Sequence, residues 1–392
     1  MRVKLSPKEK MAWFIKRNKK KAGRQAALAL AAVCLFIALP AAVDQPAAAG
    51  FDRDADTSLV LTMVGDLMFD RHVREAAEQH GYGSLFRHVA PLFLQSDYST
   101  ANFEQPVVLD EGYPRAPHLI SFKADAAAVK ALKDLNFTTV NLANNHMMDY
   151  GAAGLRDTCS TFAEAGLGVV GAGLDLEEAM QIDYRDINGV KIATLGFSNV
   201  FPLVREAAGK PEELGSADFA AAPGRAGVLT AKPANFVPLL REARQNADLV
   251  IVHLHMGQEY NSAISDAERE LARTMADLGA DIIVGHHPHV LKPVEIYNGA
   301  VILYSLGNFI FDQGYARTKL TAAAQYKLSR DGRARLELTP LWISSARPRP
   351  LHKLLSWGFG YQAEKILTKE LGAEHRWTKE GEKIVIPLNI EK

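Results

Sequence analysis

Three histidines, His286, His287 and His289, lie within four positions, directly after the apolar run Ile282–Val284. Imidazole is costly to bury without a partner, and it is a common ligand of transition metals. A single histidine after a strand is usually structural or solvated. What this group can do therefore depends on which other polar side chains the fold places beside it.

The same pattern, an apolar run that ends in polar side chains, recurs along the chain. Ligands of open α/β sheets bind beyond the carboxyl ends of the strands. The side chains found at these ends are Asp66, Asn102, Glu104, Asn144, Asn145, His146, His253, His255 and Asn308. Buried together without partners, they would cost several kcal/mol, which a bound cation removes. Mixed nitrogen and oxygen ligands suit Zn, Mn, Fe or Ni better than Ca, so we expect one or two such divalent ions.

The elements that carry these side chains alternate between two hydrophobic periods. Apolar runs predict strands at 58–66, 98–104, 137–146, 190–198, 248–257, 281–289 and 300–312. Helical spacing of apolar residues appears in 129–135, 236–247 and 271–278. Residues 202–227 read as a long loop, Asp331-Gly332 as a hairpin turn, and 360–371 and 383–388 as a final helix and strand. This alternation predicts an α/β fold in which helices cover the sheets.

The first 50 residues differ in composition from the rest. A cationic segment runs into an apolar stretch at 26–43, followed by Ala47-Ala48-Ala49, which is the layout of a secretory signal peptide. Left uncleaved, the stretch would be a short membrane anchor. We therefore expect an exported protein that is either anchored or secreted. The predicted organisation is a signal peptide or anchor with linker (1–50), a main domain (51–350), and a C-terminal extension that packs on it (351–392).

Charge and cysteine content narrow the function further. Residues 1–25 hold ten Lys/Arg and one Asp/Glu, which leaves 35 basic and 44 acidic residues in the remainder. An acidic body argues against nucleic-acid binding. Cys34 lies in the apolar stretch, so Cys159 is the single thiol of the exported part. Neither a disulfide nor a thiolate metal cluster is therefore expected there.

A series of short motifs is more specific than any of these patterns. The motifs are Gly65-Asp66 with Arg71, ANFEQP (101–106), NLANNHMMDYG (141–151), HMGQEY (255–260), GHHPHV (285–290) and SLGNFIFD (305–312). In this order they resemble the CapA family of poly-γ-glutamate capsule synthesis proteins, a branch of the calcineurin-like metallophosphatases. The resemblance covers about residues 58–345. It implies a metallophosphatase-like four-layer α/β/β/α sandwich with two metal ions at one edge.

The resemblance also implies roles for individual residues. The implied metal ligands are Asp66, Glu104, Asn145, His255, His287 and His289. Asp66 would bind the first ion, Glu104 would bridge both ions, and Asn145 would bind the second. His287 and His289 would bind one ion each. His146 would contact the leaving group as a general acid.

Other residues near these motifs have two interpretations each. Arg71 would hold an anionic substrate, or would instead pair with Asp70 or Glu104. Asp149 would orient His146 or its loop. Asn308 would complete the rim of the site or only satisfy backbone groups at the strand end. His253 and His286 would be supporting residues around the ligands or bystanders.

One departure affects the implied chemistry. Metallophosphatases usually begin with Asp-x-His, whereas this chain has Asp66-Leu67-Met68, and methionine is not a ligand for hard metals. The leading hypothesis is an exported, metal-dependent hydrolase or transferase acting on phosphoester or amide bonds in capsule biogenesis. A metal-stabilised scaffold that binds the polymer is the alternative, and a secreted phosphoesterase is the third. The expected partners are an anionic polymer such as poly-γ-glutamate and subunits of a membrane synthase or export complex.

Overall fold

The computed structural model describes residues 6–11, 13, 16, 53–205, 211–213, 219–351, 356–372 and 374–388. The predicted signal peptide or anchor at residues 26–43 lies outside the described residues. Among the residues described, no helix combines the length and the apolar character needed to cross a membrane. The chain separates into two compact units, Met1–Pro46 and Ala47–Lys392, and the fold described next is that of the second unit.

Ten strands form a first sheet around the long strand β1 (Thr57–Leu67). The others are β2 (Tyr98–Phe103), β3 (Thr139–Asn141), β4 (Gly168–Val170), β15 (Asn308–Ile310), β16 (Leu320–Ser329), β17 (Ala334–Ser344), β18 (Arg347–Pro350), β19 (Thr378–Glu380) and β20 (Lys383–Leu388). The strands β2, β3 and β4 continue from β1 in parallel. On the other side, β16 and β17 form the predicted hairpin, and β20 extends it antiparallel.

Six strands form a second sheet, in the order β13-β14-β12-β11-β7-β6. They are β6 (Asp183–Ile187), β7 (Val190–Ser198), β11 (Leu249–His255), β12 (Ile282–His286), β13 (Val294–Tyr297) and β14 (Ala300–Leu303). The central four strands are parallel, and the two edge strands are antiparallel. The described residues also include two short strand pairs: β5 (Ala172–Gly173) with β10 (Gly227–Val228), and β8 (Leu203–Arg205) with β9 (Pro211–Glu213).

Helices connect the strands. They are α1 (Arg71–His80), α2 (Ala90–Leu94), α3 (Ala126–Asp134), α4 (Gly151–Glu164), α5 (Leu176–Ala179), α6 (Pro233–Asn246), α7 (Asp266–Asp277), α8 (Ala316–Lys319) and α9 (Tyr361–Leu367). The start of α7 is set by a capping box, in which Ser265 and Glu268 each bond to the backbone amide of the other. The three helices predicted from periodicity correspond to α3, α6 and α7.

Among the described residues, alternation of side chains along the strands divides the buried apolar side chains into three cores. Met63 and Val64 are neighbours on β1, yet they point to opposite faces of the sheet. Met63 belongs to the core between the two sheets, and Val64 belongs to the core that includes residues of α1, α3 and α4. In the second sheet, Ile251 joins the core between the sheets, whereas Val252 packs against α6 and α7. The layers therefore run helix, sheet, sheet, helix. The predicted α/β/β/α sandwich is confirmed.

The main difference from the predicted strands lies in residues 300–312. The sequence pattern predicts one strand here, but the run divides into β14 in the second sheet and β15 in the first. Gly307 makes the crossing possible because its φ of 74° lies in the left-handed region. The crossing places Asn308 in register with Asp66 on β1. The predicted loop at 202–227 also differs, since it contains the short pair of β8 and β9.

Candidate functional site

Strands from both sheets contribute to one polar site. Asp66 on β1 accepts a hydrogen bond from His286 Nδ1 on β12, at 3.1 Å. Glu104 follows β2, and its amide donates to the carbonyl of Leu67 at the end of β1. Asn145 follows β3 and accepts from His255 Nε2 at the end of β11, at 2.9 Å. The polar side chains that the sequence places at separate strand ends therefore meet.

Close packing of the backbone holds Asp66 in place. A Cβ atom at Gly65 would overlap the carbonyl oxygen of Gly307, so only glycine fits where β15 meets β1. The Asp66 carboxylate also accepts from Asn102 Nδ2 at 3.0 Å, and its second oxygen lies 3.3 Å from His289 Nδ1. Both carboxylate oxygens are therefore engaged by neighbouring side chains.

Three side chains lie close enough together to share one ion. Glu104, His287 and His289, here named the Glu–His cluster, offer ligand atoms that all lie within 4.8 Å of one another. All three residues are buried, with exposed fractions of 0%, 6% and 4%. Glu104 Oε1 and His287 Nδ1 have no hydrogen-bond partner among the described residues. An unpaired buried polar atom costs about 1–3 kcal/mol, and a cation would satisfy both atoms. This donor set fits a divalent transition metal.

The hydrogen bonds of His289 leave one ring nitrogen for such an ion. His289 Nδ1 lies 2.9 Å from Asn308 Oδ1 and 3.3 Å from the Asp66 carboxylate, and both of these atoms are acceptors. Nδ1 must therefore carry the proton. Nε2 faces Glu104 Oε1 at 3.6 Å. Burial would lower the pKa of His289, but the charge of Glu104 and the hydrogen bond to Asp66 raise it to about 9. A bound cation would displace the Nε2 proton, and Nε2 would then offer its lone pair, which is the usual arrangement for a metal-binding histidine.

The backbone at the two cluster histidines supports a functional interpretation. His287 has a φ of 92° and His289 a φ of 55°, both in a region that residues other than glycine rarely adopt. Such conformations cost about 1–3 kcal/mol each and concentrate at binding and catalytic sites. The strain keeps both imidazoles at the end of β12, beside His255, whose ring centroid is 5.0 Å from that of His287.

Burial of two carboxylates among imidazoles shifts their pKa values apart. Burial would raise the pKa of Asp66, but hydrogen bonds from His286 and His289 hold it well below its usual value. Burial, together with the charge of Asp66, raises the pKa of Glu104 well above its usual value. Burial also lowers the pKa of His287 to about 3, so this ring is neutral at physiological pH. The site disfavours two uncompensated negative charges, which is the condition that a bound cation relieves.

His146 belongs to a separate hydrogen-bonded group next to the cluster. Its Nδ1 donates to Asp149 Oδ2 at 2.9 Å, and His118 Nδ1 donates to the other oxygen of Asp149 at 2.5 Å. The Asp149 carboxylate also accepts from the amide of Phe122, whose ring lies 4.3 Å from that of His146. The interpretation that Asp149 orients His146 agrees with these contacts. The second imidazole, His118, was not expected from the sequence.

Arg71 pairs with neither of the carboxylates suggested for it. Its guanidinium forms a two-point ion pair with Asp312, just beyond β15, and not with Asp70 or Glu104. Asp70 instead caps α1 by accepting from the backbone amide of Arg71. The reason is the crossing of the chain at Gly307, which brings Asp312 to the start of α1. Sequence position alone gives no sign of this pairing.

The hydrogen bonds of Asn308 serve two purposes, of which only the bonding to backbone was among its interpretations. It accepts from His289 Nδ1, and it also donates to the carbonyl of Thr318 at 3.2 Å and to Gln313 Oε1 at 3.0 Å. It therefore satisfies a backbone group and also holds a cluster histidine in position.

His253 and His286 form a continuous chain behind the cluster. Thr100 Oγ1 lies 2.8 Å from His253 Nε2, and His253 Nδ1 lies 2.9 Å from His286 Nε2. His286 Nδ1 then reaches Asp66. Because the carboxylate can only accept, His286 Nδ1 donates to Asp66. With both rings neutral, the other directions follow: Thr100 donates to His253, and His253 donates to His286. These four residues are here named the histidine chain.

Sequence reasoning gave no role to Asn102, Thr100, His118 or Asp312. The sequence pattern places Asn102 at a strand end. Its Nδ2 group donates to the carboxylates of Asp66 at 3.0 Å and Glu104 at 3.2 Å. The other three have no local signal. His118 lies in an aperiodic segment, and the roles of Thr100 and Asp312 depend on contacts between distant strands.

The chain is similar to known bacterial sequences over most of its length. The sequence model of the family "Bacterial capsule synthesis protein PGA_cap" matches residues 60–313, which include every predicted site residue. A "PGA biosynthesis protein CapA" of Bacillus subtilis (strain 168) is 44% identical, covering 90% of this chain and 90% of that protein. A "Capsule biosynthesis protein CapA" of Bacillus anthracis is 41% identical, covering 99% and 92%. Among solved structures, TT1561 of Thermus thermophilus is 12% identical and covers 68% of this chain and 93% of that chain, but its TM-score of 0.37 supports no argument.

Proposed function

Because the chain belongs to the PGA_cap family of bacterial capsule synthesis proteins, we propose that it is an exported, metal-dependent hydrolase or transferase of capsule-polymer biogenesis. The polymer is poly-γ-glutamate or a related polyanion, and the bond attacked is a phosphoester or an amide. Export follows from the basic and apolar composition of residues 1–50, and residues 26–43 either anchor the protein or are removed. Subunits of a membrane synthase or export complex are the proposed partners.

The observation that carries the catalytic part is the Glu–His cluster with its two unpaired buried atoms. Glu104, His287 and His289 would hold one divalent ion. Further ligands around them, for one ion or two, would be Asp66, Asn145 and His255. A bound divalent ion acts as a Lewis acid that polarises a phosphoryl or carbonyl oxygen.

The proposed contribution of the protein itself is proton transfer beside this centre. The Nδ1–H group of His146 donates to Asp149, which fixes the ring orientation. In the imidazolium form Nε2 also carries a proton; this proton would pass to the leaving group, and the ring would be left neutral with Nδ1–H still bonded to Asp149. His118 bonds to the same carboxylate and holds it in position. Phe122 covers one side of the His146 ring and limits its contact with water. These contacts support the proposal that His146 acts as a general acid.

The competing function is a metal-stabilised scaffold that binds the polymer without cutting it. The burial of the Glu–His cluster favours it, because each of its residues is at most 6% exposed and a substrate would have little access. The absence of a histidine after Asp66, where Met68 stands, points the same way.

Metal content and turnover measured together test the proposal. We would purify the full-length chain with the His146→Ala variant and with His80→Ala, which removes an exposed histidine at the end of α1. Each protein would be assayed by elemental analysis and by turnover of poly-γ-glutamate and of a chromogenic phosphodiester. We expect one or two ions per chain in all three, and a rate about 10²–10⁴-fold lower in His146→Ala alone.

Three other results would each contradict part of the proposal. A wild-type chain that folds without metal would reject the metal-dependent site. Bound metal without turnover of either substrate would favour the scaffold. Equal rates in His146→Ala and wild type would reject His146 as the general acid.

A further inference from the structure

Aromatic rings border the site on the side of His289. The ring centroid of Phe311 lies 4.9 Å from that of His289, and the Tyr260 centroid lies 6.3 Å from it. Tyr315, which is 65% exposed, packs edge-on against Tyr260 at 6.0 Å. These rings extend the site from the buried cluster to the surface.

Two arginines lie over this aromatic border, in different electrostatic states. Arg71 lies over Phe311, with Cζ 5.9 Å from the ring centroid, and its charge is already balanced by the two-point ion pair with Asp312. Arg317 lies over Tyr260, with Cζ 5.5 Å from the ring centroid. It is exposed, and it forms no ion pair with any carboxylate in the described part of the chain. Of these two cations, only Arg317 has a guanidinium edge left for an anion.

The tyrosine beneath Arg317 is fixed to the site by its backbone and by its hydroxyl. Tyr260 has a φ of 61°, and its amide donates to the carbonyl of Pro288, the residue between His287 and His289, at 2.8 Å. Its hydroxyl accepts from Gln313 Nε2 at 3.2 Å. A residue held in this strained region usually serves a site.

Gln313 connects Tyr260 to the Glu–His cluster by a second route. Gln313 Oε1 accepts from Asn308, which in turn accepts from His289. Arg317 therefore lies over a ring whose position is coupled to the cluster by hydrogen bonds.

We propose that Arg317 is the substrate-anchoring cation of this site and binds a carboxylate of a polyanionic chain whose adjacent segment lies over the Glu–His cluster. This inference rests on the proposed function, and it replaces Arg71 by Arg317 as the residue that selects an anionic substrate. The planar guanidinium matches a carboxylate through two hydrogen bonds, and stacking on Tyr260 orients it for that geometry. A polymer with one carboxylate per residue offers such a group next to the bond under attack. A phosphate could fill the same fork, so the test must separate the two anions.

Binding of defined polymers to the full-length protein tests this assignment. We would measure fluorescence anisotropy of fluorescein-labelled poly-γ-glutamate of fixed length, with poly-γ-glutamine and polyphosphate as competitors. The variants are Arg317→Gln and Arg317→Lys. The control is Arg333→Gln, because Arg333 is 81% exposed at the turn between β16 and β17, at the far end of the hairpin that begins beside Arg317. Metal content would be measured on every sample.

We expect Arg317→Gln to weaken poly-γ-glutamate binding roughly tenfold, the size of one lost charge-assisted hydrogen bond. Arg317→Lys should recover part of this loss, because it keeps the charge but not the two-point geometry. Arg333→Gln should bind as wild type does, and metal content should stay constant throughout. Poly-γ-glutamine should not compete. Glu259→Gln should tighten binding about twofold, because it removes a negative charge beside Tyr260.

The failures of the two proposals give different results. Equal binding by wild type and Arg317→Gln, with metal present in both, would overturn the role of Arg317 and leave the metal site intact. Stronger competition by polyphosphate, lost in Arg317→Gln, would overturn the carboxylate as the recognised group. A wild type that holds no metal and binds no polymer would overturn the proposed function and this inference with it.

Discussion

Two groups of buried imidazoles lie side by side in this molecule and use their ring nitrogens differently. In the histidine chain, both nitrogens of His253 and both of His286 have partners. In the Glu–His cluster, His287 Nδ1 has none among the described residues, and His289 Nε2 faces a carboxylate at 3.6 Å. The residues of both groups are buried. Their difference is therefore in bonding and not in exposure.

This difference in bonding suggests different roles for the two groups: the histidine chain supports the site, and the Glu–His cluster binds the ion. A fully paired polar network costs little to bury and rigidifies its surroundings. A network with unpaired atoms is costly unless something else completes it. The histidine chain ends on Asp66, which in turn touches His289. The paired group thus holds the carboxylate against which the unpaired group is arranged, and each group should respond differently to mutation.

The largest effect should follow a change within the Glu–His cluster. Glu104→Gln keeps the shape of the side chain but removes the charge that faces a bound cation. A structural metal site contributes on the order of 10 kcal/mol from about four ligands, so losing one should weaken metal affinity by about a hundredfold or more. Competition titration with a chromophoric chelator measures this affinity.

The matched control for this change is Glu337→Gln. Glu337 is also a buried carboxylate, but it lies on β17 and pairs with Lys327 and Lys383. This variant should lose stability and keep metal affinity. Equal metal affinity in Glu104→Gln and wild type would remove Glu104 from the ligand set and undo the distinction between the two groups.

A smaller effect is expected from the end of the histidine chain nearest to Asp66. His286→Ala removes the donor to Asp66 and leaves His253 Nδ1 without an acceptor. Loss of a residue that orients a ligand typically costs about 10–100-fold in metal affinity. Stability should also fall, by about 2–5 kcal/mol, because a buried side chain is truncated and hydrogen bonds are lost. The same chelator titration and a urea unfolding curve measure both quantities.

For this variant the control is another buried histidine. His88, which is 1% exposed, lies between the short 3₁₀ turn at residues 82–86 and α2, and it accepts a hydrogen bond from Arg87 Nε at 3.1 Å. His88→Ala should cost stability without changing metal affinity. If His286→Ala left metal affinity unchanged while lowering stability like His88→Ala, the histidine chain would be a core feature only.

The sequence predicted which polar residues lie at strand ends better than it predicted the contacts between them. Residues such as Asp66 and His287 were identifiable because each follows an apolar strand, and strand ends of parallel sheets share an edge. Local patterns cannot show which strand of one sheet faces which strand of the other. The bond from Thr100 to His253 joins β2 to β11 across 153 positions.

The misassigned partner of Arg71 has the same origin. Residues 300–312 read as one strand because apolar residues dominate on both sides of Gly307-Asn308, yet the chain changes sheets at Gly307. The change of sheet brings Asp312 to Arg71 and Asn308 to His289. A single residue with a left-handed backbone decides both contacts, and hydrophobic periodicity carries no information about it.

The smallest effect on metal binding should come from the far end of the histidine chain. Thr100→Val preserves the shape of the side chain but removes the hydroxyl that donates to His253 Nε2, which leaves that nitrogen buried and unpaired. Stability should fall by about 1–3 kcal/mol. Metal affinity should change less than about threefold, because two imidazoles separate Thr100 from Asp66 and each keeps its other hydrogen bond. Thr194→Val is the control, since Thr194 also bonds between the sheets, to Tyr98 at 2.6 Å. If Thr100→Val weakened metal binding as strongly as His286→Ala while Thr194→Val did not, the chain would act as one cooperative unit whose hydrogen-bond direction, and not only its last member, sets the charge on Asp66.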